Sequence, residues 1–258
     1  METIQIKRSQ DSRRIDLNGP ILVAHQPEFL PWLGNISKVA MGDVYFILDT
    51  VQYQSKYFQN RNKIRIKNGQ GWQWLIIPVN DTKDHYVNTL DVRIANNTNW
   101  RKKHLHAIEF SYKKSPFFQE IYTELSELYR YECDFLVDFL IRIIKYAFEK
   151  IGIRIPVYRV SELIKSGYEV KGEKSDLIIS MCRVIDAKTY VFGISGKDYV
   201  EENKFKSAGI TPVFQDFEHP VYSQIHGEFL PAMSFIDLLF NHGKRASEIL
   251  GKSSWTTL

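Results

Sequence analysis

Short, unbroken apolar runs mark both ends of this chain, and a helical periodicity fills its middle. Ile21-Leu22-Val23-Ala24 and Val44-Tyr45-Phe46-Ile47-Leu48 have strand length and no polar alternation. That is the pattern of strands buried on both faces of a parallel sheet. Between them lie Pro27 and Pro31, and the spacing then predicts a helix from about Gly34 to Met41. A strand–loop–helix–strand unit of this kind collects functional groups at the carboxyl ends of its strands, where open α/β sheets bind ligands.

Further along, Ile64–Lys67 alternates isoleucine with charge and is expected as a strand with one wet face. Asn68-Gly69 signals a hairpin turn, with Trp72–Val79 as the partner strand. Val87–Ile94 is expected to add another strand. Residues 98–112, 115–130 and 133–151 show three successive helical patterns, with Thr98 or Asn99 capping the first and Gly152 ending the third. Pro156–Val160, Thr189–Phe192 and Ile210–Gln215 are expected strands. Ser175–Asp186 is an expected helix with Ser175 as its N-cap. Helices are expected to follow Pro231–Phe240 and to span Lys244–Leu250. The prediction is an α/β fold: a mostly parallel sheet with flanking helices and a helical middle insertion. The polar residues 1–18 are expected to form a flexible arm. Residues 19–258 then form a single α/β domain, with the insertion at about 98–152.

Composition narrows the class. With 258 residues, 44% hydrophobic and 25% charged, the chain can bury a sizeable core and is not intrinsically disordered. Lys7, Arg8, Arg13 and Arg14 are not followed by an apolar signal segment. The strongest apolar stretch, Phe135–Ile144, is interrupted by Asp138 and Arg142, so no membrane span is expected and a cytoplasmic location is. Cys133 and Cys182 lack CxxC spacing and are expected as reduced, buried thiols. The seven histidines form neither HxxxH nor HExxH, and His104-Leu105-His106 would point its rings apart on a helix, so no metal site is expected. Net charge is only +4. The basic runs Lys63–Lys67 and Arg101–His104 are expected on solvated faces, with phosphate-bearing ligands or acidic proteins as alternatives and no nucleic-acid partner. Aromatic residues make up 14% of the chain. Phe29, Trp32, Tyr53, Tyr57, Tyr199, Phe217 and Tyr222 fall in the polar loops and are expected to line one pocket for a small, polar ligand.

Candidate chemistry concentrates in four segments. His25-Gln26-Pro27 places an imidazole at a strand end before a stiffened loop, where it can act as a general base. The alternative is a structural histidine bonded to a loop carbonyl. Asp49, Gln52, Lys56, Asn60 and Arg61 could orient a polar substrate, or form only a solvated loop. Gly193-Ile194-Ser195-Gly196, between a strand and a helix, has the composition of a phosphate cradle, although it is neither GxGxxG nor a Walker sequence. Asp237 stands in an otherwise apolar helix start, as a catalytic carboxylate or as a charge offsetting the helix dipole.

Taken together, these segments resemble the WbqC-like family of bacterial and archaeal proteins over about residues 20–243. The matching pieces are His25-Gln26-Pro27, Pro31-Trp32, Gly34, Lys38, Asp43, Asp49–Gln52 and Asn60-Arg61. In the second half they are Gly193, Ser195-Gly196, Tyr199, Phe214–Phe217, Tyr222, Gln224, Phe229, Ser234–Asp237, Asn241 and Gly243. The family commonly has a neutral polar residue where this chain has Glu28. The resemblance implies a role in O-antigen and other surface-polysaccharide synthesis. The implied activity is transfer of a glycyl or other acyl group to the amine of a nucleotide-linked amino sugar.

On that reading His25 is the base, and Asp49 or Asp237 orients it or the substrate ammonium. Gln26, Trp32, Gln52, Lys56, Asn60, Arg61, Gly193, Ser195, Gly196, Tyr199, Tyr222, Gln224 and Ser234 bind substrate. No resident cofactor is implied, and an acyl or aminoacyl carrier protein is the candidate partner. Two alternatives stand beside it. One is a nucleotidylyltransferase using a nucleoside triphosphate and magnesium, loosely similar through the strand-end histidine but lacking the second histidine of HxGH. The other is a non-catalytic module that binds a sugar nucleotide or a carrier protein.

Overall fold

A computed structural model of the chain describes residues 19–67, 71–80, 86–198, 200–251 and 254–256. The arm expected over 1–18, the Asn68-Gly69 turn and Tyr199 lie outside the described residues. The two leading apolar runs form β1 (Ile21–His25) and β2 (Val44–Ile47), joined through α1 (Leu33–Val39). A two-stranded antiparallel ribbon follows, β3 (Arg61–Arg65) and β4 (Trp72–Ile76). Three helices come next: α2 (Trp100–Tyr112), α3 (Phe118–Tyr129) and α4 (Leu136–Ile151). Gly152 ends α4 in the left-handed conformation (φ 81°), which a residue without Cβ adopts at little cost.

The chain then returns to the main sheet. β5 (Val157–Arg159) leads into α5 (Val160–Lys165) and α6 (Lys174–Val184). β6 (Thr189–Phe192), α7 (Glu202–Ser207) and β7 (Thr211–Asp216) complete the parallel set. α8 (Phe235–His242), α9 (Ala246–Leu250) and β8 (Ser254–Thr256) close the described chain. The sheet order is β5-β2-β1-β6-β7-β8. The first five strands are parallel, and β8 is antiparallel to β7. The fold is therefore α/β, as the pattern predicts.

The continuous apolar runs are explained by burial on two sides. Leu22, Ala24, Val44, Phe46, Tyr190 and Phe192 pack with α5, α6 and α7. Ile21, Val23, Tyr45, Ile47 and Val191 face the opposite layer, with α1, α2, α3, α4 and α8. Each strand alternates sides, so both sets must be apolar.

Three local expectations are corrected. Val87–Ile94 is not a strand: a 3-10 turn occupies Thr89–Asp91, flanked by single pairings of Gln52 with Asn88 and Val79 with Ile94. The cause is Thr89, whose amide and hydroxyl both donate to the Val51 carbonyl and curl the segment inward. Ser175 is not an N-cap. It lies inside the first turn of α6, after Glu173, and its hydroxyl accepts from the Glu201 amide at 3.3 Å. Asn99 does precede α2, but its side chain makes no capping bond.

Candidate functional site

In chain order the five parallel strands lie third, second, first, fourth and fifth across the sheet. The chain therefore leaves β1 toward one edge and β6 toward the other. A crevice opens beyond their carboxyl ends at such a reversal, and ligands of doubly wound sheets bind there. The pairing Val23 with Val191, continued by two residues, sets His25 level with Gly193. Two of the candidate segments thus meet at the switch point.

His25 ends β1, and its Nδ1 lies 2.9 Å from the Gln26 carbonyl. A carbonyl only accepts, so Nδ1 carries the proton and Nε2 keeps its lone pair. The side chain keeps 36% of its surface exposed. Burial, and then the nearby Lys38 cation, hold the imidazole well below its usual pKa, against the opposing pull of the Gln26 carbonyl. His25 is therefore neutral near pH 7.

Glu28 Oε1 lies 3.7 Å from His25 Nδ1. Glu28 is buried, and its Oε2 has no hydrogen-bond partner. Burial pushes its carboxyl up to about 7, while the Asn35 side chain, the Lys38 cation and the Trp32 amide pull it back. Lys38 is also buried and donates to the Ala24 carbonyl at 3.3 Å. Burial lowers it to about 8, opposed by Glu28. An imidazole, a carboxyl and an ammonium thus share one largely buried junction between β1 and α1. All three can change charge within a few pH units of neutrality or be held off it by their neighbours.

The loop carrying these groups is rigidly braced. Leu30 adopts a left-handed conformation (φ 46°) although it is fully buried. Asn62 on β3 donates to the carbonyls of Leu30 (2.6 Å) and Phe29 (3.2 Å), and the Phe29 amide donates to the Phe58 carbonyl at 2.9 Å. A strained backbone persists only where its surroundings over-determine it, as here. Trp32 follows, half-buried, edge-on to Phe217 at 5.5 Å and paired with Ser234 across a single bridge. Its indole lies directly over Gly34, so a Cβ there would collide with the ring. Gly34→Ala should cost about 1–3 kcal/mol through forced repacking, read as a lower midpoint of urea unfolding. An unchanged midpoint would show that the indole is free to move.

The remaining candidates separate into those beside this junction and those elsewhere. Gln26 is half-buried and anchors His25 through its carbonyl. Ser234 is fully buried next to Trp32, and its hydroxyl has no partner. Gly193 has open space where a Cβ would stand, and Ser195 is exposed. The segment is a 3-10 turn (Ile194–Asp198). Gly196 packs on the Phe192 ring and donates its amide to the Gly193 carbonyl.

Asp49 is fully buried but does not touch His25. Its oxygens accept from Arg159 Nε (2.8 Å), the Ser161 hydroxyl (2.6 Å) and the Ser161 amide (2.9 Å), which fastens the end of β2 to α5. Asp237 is likewise committed elsewhere, accepting at 2.8 Å from Tyr112, Tyr222 and Gln224. Gln224 also holds both the amide and the carbonyl of Leu230. Among the described residues neither aspartate bonds to His25, and both carboxylates are occupied by partners in other elements, which leaves orientation of His25 or of a substrate ammonium without a direct contact here. Asn60 donates to the Ile77 carbonyl and ties the ribbon together. Gln52 and Lys56 are exposed, and Arg61 donates to the Lys56 carbonyl while lying 4.3 Å over the Trp74 ring.

The expected aromatic pocket is only partly assembled among the described residues. Phe29 and Tyr53 are core residues and Tyr57 is exposed. Trp32, Phe217 and Tyr222 do line up, Trp32 on Phe217 at 5.5 Å and Phe217 linked to Tyr222 through His219 at 5.9 and 6.3 Å. Two clefts of about 690 Å³ lie away from it, one between α6 and α7 and one around Cys133. Among the described residues no group of three or more His, Cys, Asp and Glu could hold a metal ion, and no helix is long and apolar enough to cross a membrane.

Asn35 and Lys38 carry no role in the sequence-based expectation, and Glu28 is only a departure from pattern. The signal was present in α1, whose seven residues are all buried although three are polar. Buried polar groups require partners.

A family profile described as the WbqC-like protein family matches residues 26–249. The chain is 32% identical over 228 residues to the uncharacterized protein Rv1507c of Mycobacterium tuberculosis, an alignment covering 87% of this chain and 95% of that one. No solved structure matches.

Proposed function

The chain belongs to the WbqC-like protein family, and from that premise we propose that it is an N-acyl or aminoacyl transferase. The proposed acceptor is the amino group of a nucleotide-linked amino sugar, and the product a glycylated or otherwise acylated sugar for surface polysaccharides such as O-antigen. The observation that carries the reading is the neutral imidazole of His25, with Nε2 free, at the switch point of the sheet. Phosphates suit the β6 turn, where Gly193 leaves room for close approach. The donor is a thioester. In the transfer the amine nitrogen bonds the acyl carbon and the carbon–sulfur bond breaks. The proton lost from nitrogen passes through His25 Nε2 to the departing sulfur, so one group serves as base and then acid.

The assay mixes the protein with a glycyl carrier-protein thioester and a panel of nucleotide-linked amino sugars, and follows the sugar mass. A gain of one glycyl residue is expected. Tight sugar-nucleotide binding with no mass change across the panel would instead favour a binding module. The strand order is also that of nucleotide-binding sheets, which favours a second reading, nucleotidyl transfer using a nucleoside triphosphate and magnesium. Pyrophosphate release on adding the triphosphate would select it.

Glu28 makes the proposed reaction pH-dependent. Ionised, it sits beside the Nδ1 proton of His25 and makes Nε2 more basic; protonated, it does not. The rate should rise as pH climbs through about 7, and Glu28→Gln should flatten that step in a profile of initial rates. Stability should run the other way. A carboxyl raised to about 7 contributes stability that is fully present below its unfolded value and is lost as pH rises through about 7. Urea unfolding across that window should show a smaller decline for Glu28→Gln than for the parent.

A further inference from the structure

Charge is unevenly divided along this chain. From Thr50 to Lys114 there are twelve Lys and Arg against four Asp and Glu, a net +8 in a chain whose total is +4. No carboxylate occurs between Asp49 and Asp81. The structure gathers part of this charge on the β3–β4 ribbon, where Arg61 faces Ile76 and Lys63 faces Trp74 across the register. The same region exposes apolar surface: Tyr57 at 63%, Trp72 at 40% and Ile76 at 46%. Lys63 lies 4.4 Å over the Trp72 ring and Arg61 4.3 Å over Trp74. Lys67, just past β3, lies 4.8 Å over the exposed Phe110 of the adjoining α2.

An apolar centre with cations around it, rich in Trp, Tyr and Arg, has the anatomy of a protein interface. The cations already occupy ring faces on which nucleobases would have to stack, which argues against a single-stranded nucleic acid. The surface also adjoins the His25 loop. Asn62 of β3 holds Leu30, and the Ser234 amide donates to the Lys63 carbonyl at 3.0 Å.

We propose that this face of the ribbon, with the neighbouring edge of α2, docks a small acidic protein domain that delivers the acyl thioester to His25. The proposal rests on the acyl-transfer reading above. Opposite charge steers such a partner and sets its orientation, and the bracing of the loop keeps the docked domain in register with the crevice.

The probe is a purified, fluorescently labelled acyl carrier protein bearing its phosphopantetheine thioester, titrated with the full chain at about 50 mM and about 300 mM salt. Binding that weakens with salt is expected. Lys63→Glu combined with Lys67→Glu should weaken it about tenfold or more and raise KM for the carrier-bound donor in step. The same variant should turn over a free pantetheine thioester like the parent, while Arg183→Glu on α6 should bind the carrier normally. Trp72→Ala, at an exposed position, supplies a second variant should the charge reversal unfold the ribbon; it too should weaken docking.

No binding by the parent, or equal binding by the ribbon variants, overturns the proposal. So does displacement of the carrier by a single-stranded oligonucleotide at equal or lower concentration. The two readings fail separately. Turnover of the free thioester without carrier binding removes the docking site alone, and salt-sensitive docking without turnover of either donor removes the transfer activity alone.

Discussion

His25→Ala should lower the rate of amine acylation by about 10²- to 10⁴-fold, the range that a positioned proton-transfer group contributes. The loss should fall on kcat, because the imidazole handles a proton in the transition state rather than holding the sugar. Fold stability should change little, since the side chain is partly exposed and, among the described residues, its hydrogen bond is to the neighbouring Gln26 carbonyl. His25→Asn is the informative companion. Its amide can still donate toward Gln26, but it offers no basic nitrogen where Nε2 stood. Equal loss in both variants assigns the effect to Nε2, whereas recovery in the Asn variant would reduce His25 to a loop anchor. Turnover unchanged in either would remove His25 as the base.

The contrast between His25 and the two aspartates shows what a sequence can disclose. A histidine at the end of an apolar run is legible because position in a parallel strand fixes which end of the sheet it occupies. The same logic made β1, β2 and β6 readable, since strands buried on both faces leave no alternation to misread. Asp49 is legible only as a polar residue after a strand end and Asp237 as one in an apolar helix start, and neither position says which partner it takes. Arg159 is 110 residues from Asp49 and Tyr112 is 125 residues from Asp237, although Tyr222 and Gln224 lie only 15 and 13 residues from Asp237. No local spacing encodes such pairs. The loop aromatics misled for a related reason. Phe29 is held inward by Asn62 at its carbonyl and Phe58 at its amide, and Tyr53 by its amide donating to the Val87 carbonyl, and only the tertiary fold brings those segments together.

The junction of His25, Glu28 and Lys38 combines both cases. The three residues sit at one strand end, in the loop after it and in one short helix, yet their coupling depends on α1 being buried all round. In a solvated helix Lys38 would be an ordinary surface cation and Glu28 an ordinary carboxylate. Packing under the sheet makes each sense the other, which ties proton affinity at the proposed base to the integrity of the core.

Asp237→Ala should destabilise the fold by about 3–5 kcal/mol, the cost of removing one partner from a buried charged network. Three donors converge on this carboxylate, from Tyr112 on α2 and from Tyr222 and Gln224 in the loop before α8. Removing it strands two buried phenols and an amide, and withdraws a counter-charge from Arg65, itself fully buried and bonded to the His226 and Glu228 carbonyls. Asp237→Asn should lose less, because it keeps one acceptor oxygen for three donors, but its own NH₂ then faces groups that also donate. The measurement is thermal unfolding of both variants beside the parent, with Tm falling by roughly 6–20 °C for the alanine variant at this chain length. The double replacement of Tyr112 and Asp237, as Phe and Ala, should be less damaging than the sum of its parts, since each single change already breaks the same bond. A catalytic assignment makes the opposite prediction. Were Asp237 to orient His25, its alanine variant would unfold like the parent and fail only in turnover.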